Sequence, residues 1–214
     1  MTMQKVRVKD LEDGIKIFNL PRRLRDVMRT VPFKIDSDLM ESGTSSPEGA
    51  ALFLPAFGPL PKAMIDFLFF SLKEIDIVGT DKIDDMANEG RVGPSITSHN
   101  AFVDEDRNAI VTASPEELSI SAHGTLLHEF GHIFYRGLSS DEEGLLEQAQ
   151  EDGERASRNP QTEDVEENFC EAFRVFYEGE RDRLPLTLLE VMLHLDERAR
   201  SAPDYVTFAR GESS

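Results

Sequence analysis

The 214-residue sequence contains no tryptophan and only one cysteine, Cys170. A single cysteine excludes an internal disulfide, so the fold has to be stabilised mainly by its hydrophobic core. No stretch approaches the roughly 18 apolar residues that a membrane-spanning helix requires. The amino terminus also lacks the apolar segment of a secretory signal. These absences predict a soluble cytoplasmic protein, with signal-independent secretion as the open alternative.

Basic residues are scarce, since 23 Lys and Arg stand against 41 Asp and Glu and the formal net charge is −18. Binding to nucleic acid or to anionic membranes relies on clustered positive charge, so the composition argues against both kinds of partner. The basic residues are concentrated near the amino terminus. This asymmetry predicts an amino-terminal strand and helix segment, residues 1–35, that packs on an acidic domain formed by residues 36–214 as one structural unit.

Periodic hydrophobic patterns predict an α+β fold. Strand patterns occur at Ile75 to Val78, Ala101 to Val103 and Ala109 to Thr112, and the last two are separated by the turn-like DEDRN. They predict a small, mostly antiparallel sheet, and Ile15 to Phe18 also has a strand-like pattern. Helical periodicity predicts helices over residues 21–30, 62–73, 119–135, 163–179 and 184–200. Gly137 is predicted to end the third of these in a left-handed cap.

A metal-binding pattern lies in the helical segment TLLHEFGHIFY. His128 and His132 are four residues apart, so a helix projects both imidazoles from one face, about one turn apart. That spacing allows two ring nitrogens to reach one zinc ion, Zn²⁺. Glu129 lies beside the pair and is predicted to accept a proton from the water that zinc activates.

A catalytic zinc takes three protein ligands, so a further donor is required. The segment ENFCEAFRVFY supplies two carboxylates, Glu167 and Glu171, that share a helical face. We assign Glu167 as the third ligand and Glu171 as the acceptor that orients a histidine ring. The reverse assignment remains open, as does a pair of merely solvated carboxylates. Glu166 is predicted to face away, and Cys170 is interpreted as a buried structural thiol.

The two segments together resemble the zinc domain of the anthrax lethal factor family, which includes the small Pro-Pro endopeptidases. The resemblance extends upstream through EIDIVG and NAFVDEDRNAIVTA, and it covers about half of the chain. It implies a zincin-like single domain in which the small sheet packs on the helix with the two histidines, and a second helix carries the remaining ligand. The implied ligands of this gluzincin type are His128, His132 and Glu167, with Glu129 as the base and Glu171 in support.

The resemblance also implies a substrate-binding strand. In that family the strand before the metal helix can bind an extended peptide, which implicates Ala101, Phe102, Val103 and Asp104. One departure concerns the oxyanion: the family commonly places a tyrosine about two turns before the third ligand, and that register falls on Pro160. Candidate substitutes are Tyr177, Tyr205, His99 and His123.

The sequence therefore predicts a zinc-dependent endopeptidase that hydrolyses bonds of an extended peptide or protein, with Glu129 as general base. One alternative is a cytoplasmic regulatory peptidase that cleaves a single dedicated partner. Another is a zinc-stabilised binding module that has lost catalysis, an interpretation favoured by the missing tyrosine.

Overall fold

The computed structural model describes residues 2–20, 27, 30, 32–88, 100–158 and 160–211. The chain divides into two compact units. The first comprises Met1–Gly58 and Ser71–Leu126, and the second comprises Pro59–Phe70 and Leu127–Ser214. The proposed division of the chain at residue 35 stays a prediction.

The described part of the first unit contains a five-stranded mixed sheet in the order β1-β2-β3-β5-β4. Its outer pairs, β1 with β2 and β4 with β5, are antiparallel, whereas β3 is parallel to both β2 and β5. The sheet is therefore not mostly antiparallel as predicted, because the parallel partners are joined by long connections that a local pattern does not reveal. The strands are β1 (Met3–Lys5), β2 (Phe33–Asp36), β3 (Glu74–Val78), β4 (Ala101–Asp104) and β5 (Ala109–Ala113).

Most of the remaining described residues are helical, so the predicted α+β class is confirmed. Among these residues, two 3₁₀ helices are longer than one turn, Gly49–Phe57 and Pro160–Glu163. The α-helices are α1 (Val8–Ile17), α2 (Ser37–Ser42), α3 (Lys62–Ser71), α4 (Thr80–Asn88), α5 (Ala122–Tyr135), α6 (Ser140–Glu151), α7 (Val165–Tyr177), α8 (Leu186–Ser201) and α9 (Tyr205–Ala209).

Two local predictions are wrong. Ile15 to Ile17 belong to α1 rather than to a strand, because Leu11 and Ile15 are four residues apart and bury one helical face. Gly137 does not adopt a left-handed conformation; its N–H donates to the Phe134 carbonyl in a tight turn that directly follows α5. The helix predicted over 21–30 lies almost entirely outside the described residues.

The helical predictions around the candidate site are confirmed as α3, α5, α7 and α8. In the second unit the core is rich in phenylalanine, and Phe134 of α5 stacks on Phe173 of α7 with ring centroids 5.3 Å apart. Helix α5 crosses the division between the units, and its residues from Leu127 onward belong to the second. Among the described residues, no helix combines the length and apolar character required to cross a bilayer.

Candidate metal centre

Helix α5 carries the histidine pair on one face and aromatic core residues on another. Phe130 and Phe134 are fully or almost fully buried, which fixes the rotation of the helix about its axis. His128 and His132 consequently project together, with ring centroids 5.3 Å apart. The four-residue spacing thus brings the two imidazoles side by side, as the sequence predicts.

Helix α7 supplies the carboxylates. It begins at Val165 because the Asp164 side chain accepts hydrogen bonds from the backbone N–H groups of Glu166 and Glu167. The apolar face of α7 buries Phe169, Phe173 and several neighbouring residues. Glu167 and Glu171 lie on another face, one turn apart.

The two helices approach each other closely at Gly131 and Cys170. A Cβ atom at Gly131 would lie 2.7 Å from the Cys170 Cα, too close for any side chain. A glycine is therefore required at this crossing. His128 precedes Gly131 by three residues and His132 follows it by one, and Glu167 and Glu171 have the same offsets from Cys170. The crossing consequently sets the histidine pair opposite the carboxylate pair.

Both histidines direct Nε2 toward Glu167. The distance is 3.3 Å from His128 Nε2 to Glu167 Oε2 and 3.7 Å from His132 Nε2 to Glu167 Oε1. Two ligand atoms about 2.1 Å from one tetrahedral zinc ion would be separated by about 3.4 Å. Each of the two distances is therefore compatible with a pair of ligand atoms on one metal ion.

The Nδ1 atoms face other carboxylates. His128 Nδ1 lies 3.7 Å from Glu171 Oε2, and His132 Nδ1 forms a hydrogen bond of 2.8 Å with Glu166 Oε1. The prediction that Glu166 faces away is wrong, because the close helix crossing places His132 beside the first turn of α7. This hydrogen bond lowers the pKa of Glu166 despite partial burial. No sequence signal distinguishes Glu166 from its acidic neighbours.

Glu171 is anchored by an arginine. Arg174 donates two hydrogen bonds to its carboxylate, of 2.7 and 3.0 Å, and also pairs with Glu178. Burial alone would raise the pKa of Glu171, but Arg174 and the neighbouring His128 lower it to about 2. Glu171 is therefore ionised and held in place next to the imidazole.

The surrounding carboxylates make the site strongly attractive to positive charge. Burial would lower the pKa of His128, yet Glu167 and Glu171 outweigh it and raise the pKa to about 10. The pKa of His132 is raised as well, chiefly by its hydrogen bond to Glu166 acting against burial. A group of anions that holds protons this tightly is also suited to a divalent cation.

Glu129 is the buried carboxylate of the cluster. Glu129 is only 5% exposed, and its Oε2 atom has no hydrogen-bond partner among the described residues. Burial raises the pKa of Glu129, while the positive charge of His132 and His128 acts in the opposite direction. A buried carboxylate oxygen without a hydrogen-bond partner destabilises the fold. Such groups in native structures can have a catalytic role, which for a carboxylate can be to accept a proton.

Cys170 offers a rival third donor. One ligand atom from each of His128, His132 and Cys170 lies within 4.8 Å of the other two. The thiol is nevertheless fully buried, and burial raises its pKa well above the usual value, whereas zinc binds the thiolate. Glu167 presents one oxygen 3.3 Å from His128 Nε2 and the other 3.7 Å from His132 Nε2. We therefore favour Glu167 as the third ligand.

The structure assigns other roles to most candidate oxyanion donors. The Tyr177 hydroxyl donates to Asp196 Oδ1 over 3.1 Å, and Tyr205 stacks on Phe70. His123 Nε2 lies 3.5 Å from the Ser121 hydroxyl. His99 lies outside the described residues, and Pro160 begins a 3₁₀ helix.

The predicted substrate strand, Ala101 to Asp104, forms β4 of the first unit. It is the last strand of the sheet order and pairs with β5. Ala101, Phe102 and Asp104 are buried, and Val103 is half-buried. Its role in peptide binding stays a prediction.

Comparisons with known proteins do not assign this chain to a family. Neither a protein-family model, nor a curated protein, nor a solved structure matches the chain.

Proposed function

We propose that this protein is a zinc-dependent endopeptidase. His128, His132 and Glu167 would hold the ion, with Glu171 supporting His128 and Glu129 acting as general base. The observation that carries the proposal is the convergence of both histidine Nε2 atoms on the Glu167 carboxylate, at 3.3 and 3.7 Å. The unpartnered oxygen of Glu129 next to them supplies the group that hydrolysis requires.

The chemistry follows from these side chains. When bound, zinc would polarise the scissile carbonyl and lower the pKa of water to about 7. Glu129 takes the proton of the attacking water and passes it to the leaving amine. Because burial raises the pKa of Glu129, its basicity is better matched to neutral pH than that of an exposed glutamate.

An extended peptide is the substrate class that the resemblance implies. Among the described strands β4 pairs only with β5, so its other edge is suited to backbone hydrogen bonds from an added strand. If this edge aligns a peptide substrate, N-methylation of backbone nitrogens in the peptide should raise its KM. An unchanged KM at every methylated position would rule out strand addition.

The decisive experiment combines metal analysis with digestion of a peptide library. The parent protein should contain about one equivalent of zinc and cleave peptides. Glu129→Ala should retain the zinc but lose activity by about 10²–10⁴-fold, because a general base contributes that much. Glu147→Ala removes an exposed carboxylate of α6 and serves as the control. A parent protein without zinc, or cleavage that survives Glu129→Ala, would refute the proposal.

The identity of the third ligand can be tested with cobalt. Glu167→Gln should abolish or severely weaken metal binding, whereas Cys170→Ser should preserve both stoichiometry and the visible spectrum of the cobalt protein. Thiolate ligation would instead produce a sulfur-to-cobalt charge-transfer band that Cys170→Ser removes. That outcome would replace Glu167 by Cys170 in the ligand set.

A zinc-stabilised binding module is the second candidate function. It is favoured by the position of the family tyrosine, which is Pro160 here, and by the engagement of the Tyr177 hydroxyl with Asp196. Such a module would bind zinc and cleave nothing. Its partner binding would be unaffected by Glu129→Ala, which distinguishes it from the enzyme.

A further inference from the structure

The two histidines of the candidate centre differ in how their outer nitrogens are held. His132 Nδ1 is 2.8 Å from Glu166 Oε1, whereas His128 Nδ1 is 3.7 Å from Glu171 Oε2. Glu171 Oε2 already accepts a hydrogen bond of 3.0 Å from Arg174. The contact between Glu166 and His132 is therefore the closer of the two, although the sequence motif contains only Glu171.

The hydrogen of the Glu166 contact belongs to the histidine. An ionised carboxylate can only accept, so His132 donates through Nδ1. A neutral imidazole that carries its hydrogen on Nδ1 leaves Nε2 with a free lone pair. That Nε2 is the atom that faces Glu167 across 3.7 Å.

We propose that Glu166 is a positioning residue of the metal centre, which fixes the tautomer and ring orientation of His132 so that Nε2 binds the ion. This inference rests on the proposed function, because it assumes that a metal is bound. It assigns each histidine its own carboxylate, Glu171 for His128 and Glu166 for His132. Carboxylates in this position raise the basicity of the ligand and reduce the motion of the ring.

Glu166 is well placed for substitution. Its side chain is 37% exposed, so truncation leaves no buried cavity. Glu163 provides a matched control, since it is an exposed glutamate in the preceding 3₁₀ helix and carries the same charge. Glu171 is a poorer comparison, because its removal also leaves Arg174 without two hydrogen bonds.

The test is zinc affinity, measured by competition with a chromophoric chelator. Glu166→Ala should raise the Kd for zinc about 10–100-fold, the usual consequence of losing such a carboxylate. Glu163→Ala should leave the Kd unchanged. Glu166→Gln retains a neutral acceptor and should fall between the parent protein and Glu166→Ala, which a purely structural role would not produce.

A spectroscopic measurement provides an independent readout. In the zinc-loaded parent protein, ¹⁵N NMR of the imidazoles should show His132 protonated at Nδ1, with slow exchange of that hydrogen. The signal should exchange faster in Glu166→Ala and be retained in Glu166→Gln. Circular dichroism checks that each variant is folded. If Glu166→Ala is unfolded, Glu166→Gln is the variant that tests the role of Glu166.

The outcomes separate the inference from the proposed function. A parent protein that binds zinc, together with a Glu166→Ala Kd equal to that of Glu163→Ala, would overturn the role of Glu166 and leave the metallopeptidase proposal intact. If Glu166→Ala is unfolded, equal Kd values for Glu166→Gln and Glu163→Gln have the same meaning. A parent protein that binds no zinc would overturn both.

Discussion

Two buried polar clusters in the second unit contain similar residues but are organised differently. In one, Arg198 donates to both oxygens of Glu142, at 2.9 and 2.7 Å, and to the backbone carbonyls of Gly137 and Phe208. Every group in this arginine cluster is matched by a partner of opposite character. The other is the histidine cluster, where carboxylates outnumber imidazoles and Glu129 Oε2 lacks a hydrogen-bond partner among the described residues.

The difference is the one expected between a structural cluster and a cluster that binds a ligand. In a buried ion pair whose hydrogen bonds are all formed, no donor or acceptor remains to bind a ligand. Removal of one partner leaves the other charge unpaired in the protein interior. An unsaturated cluster is less stable as it stands but has affinity for a cation and for a proton.

Arg198→Ala should lower the free energy of unfolding by about 3–5 kcal/mol, because it leaves the buried Glu142 carboxylate without its partner. Urea denaturation measures the change. Arg183→Ala is the control, since this arginine is about half exposed and pairs with the exposed Glu180, so a loss below about 1 kcal/mol is expected. Equal losses for both variants would remove the structural role of the arginine cluster.

Zinc should stabilise the protein through the histidine cluster. At free zinc one hundred times the Kd, the folded state gains about 2.7 kcal/mol, provided that the unfolded chain does not bind the ion. Thermal melting with zinc and after chelation measures this gain. Arg183→Ala should show the same zinc-dependent shift as the parent protein, whereas Glu167→Gln should show little or none. A melting temperature that does not change with zinc would contradict the predicted metal centre.

Gly131→Ala should destabilise the protein by about 1–3 kcal/mol, because the new Cβ would overlap the Cys170 backbone at the helix crossing. The change should also weaken zinc binding by moving α5 away from α7. Gly144→Ala is the control: it lies on the exposed face of α6, where an added Cβ would meet no neighbouring atom within 4 Å, and it should gain about 0.5–1 kcal/mol. Chemical denaturation distinguishes the two signs.

Glu129→Gln should raise the stability of the metal-free protein by about 1 kcal/mol, because it removes a buried charge with an unpartnered oxygen. Glu142→Gln, the equivalent change in the arginine cluster, should instead lower the stability, because Arg198 would lose its counter-ion. The two free energies of unfolding should thus shift in opposite directions. Changes of the same sign in the two free energies of unfolding would contradict the proposed difference between the clusters.

Several elements can be predicted because their signals are local. The spacing of His128 and His132 needs only a helix to bring the imidazoles together, and the burial of Phe130 and Phe134 selects the helix face. The hairpin of β4 and β5 is recognisable from two short strands and a turn between them. In each case, the interacting residues lie within a few turns or one loop of each other.

Other features depend on contacts that no local pattern encodes. The parallel pairs of β3 join strands that are distant in the sequence, so alternation along each strand does not reveal the mixed sheet. Sequence periodicity predicts that Glu166 lies on the face of α7 that points away from the histidines. The prediction fails because the contact of Glu166 with His132 spans 34 positions and depends on how closely the two helices cross. The strand-like appearance of Ile15 to Phe18 is overridden by the burial of one face of α1.

The order of residues along α5 and α7 is sufficient to specify the chemistry of the candidate centre: two imidazoles one turn apart, and carboxylates with the same period. Tertiary packing alone decided which carboxylate meets which ring nitrogen, because that depends on the separation and rotation of the two helices. Helical periodicity is a property of the backbone, whereas the approach of Gly131 to Cys170 exists only once both helices have packed.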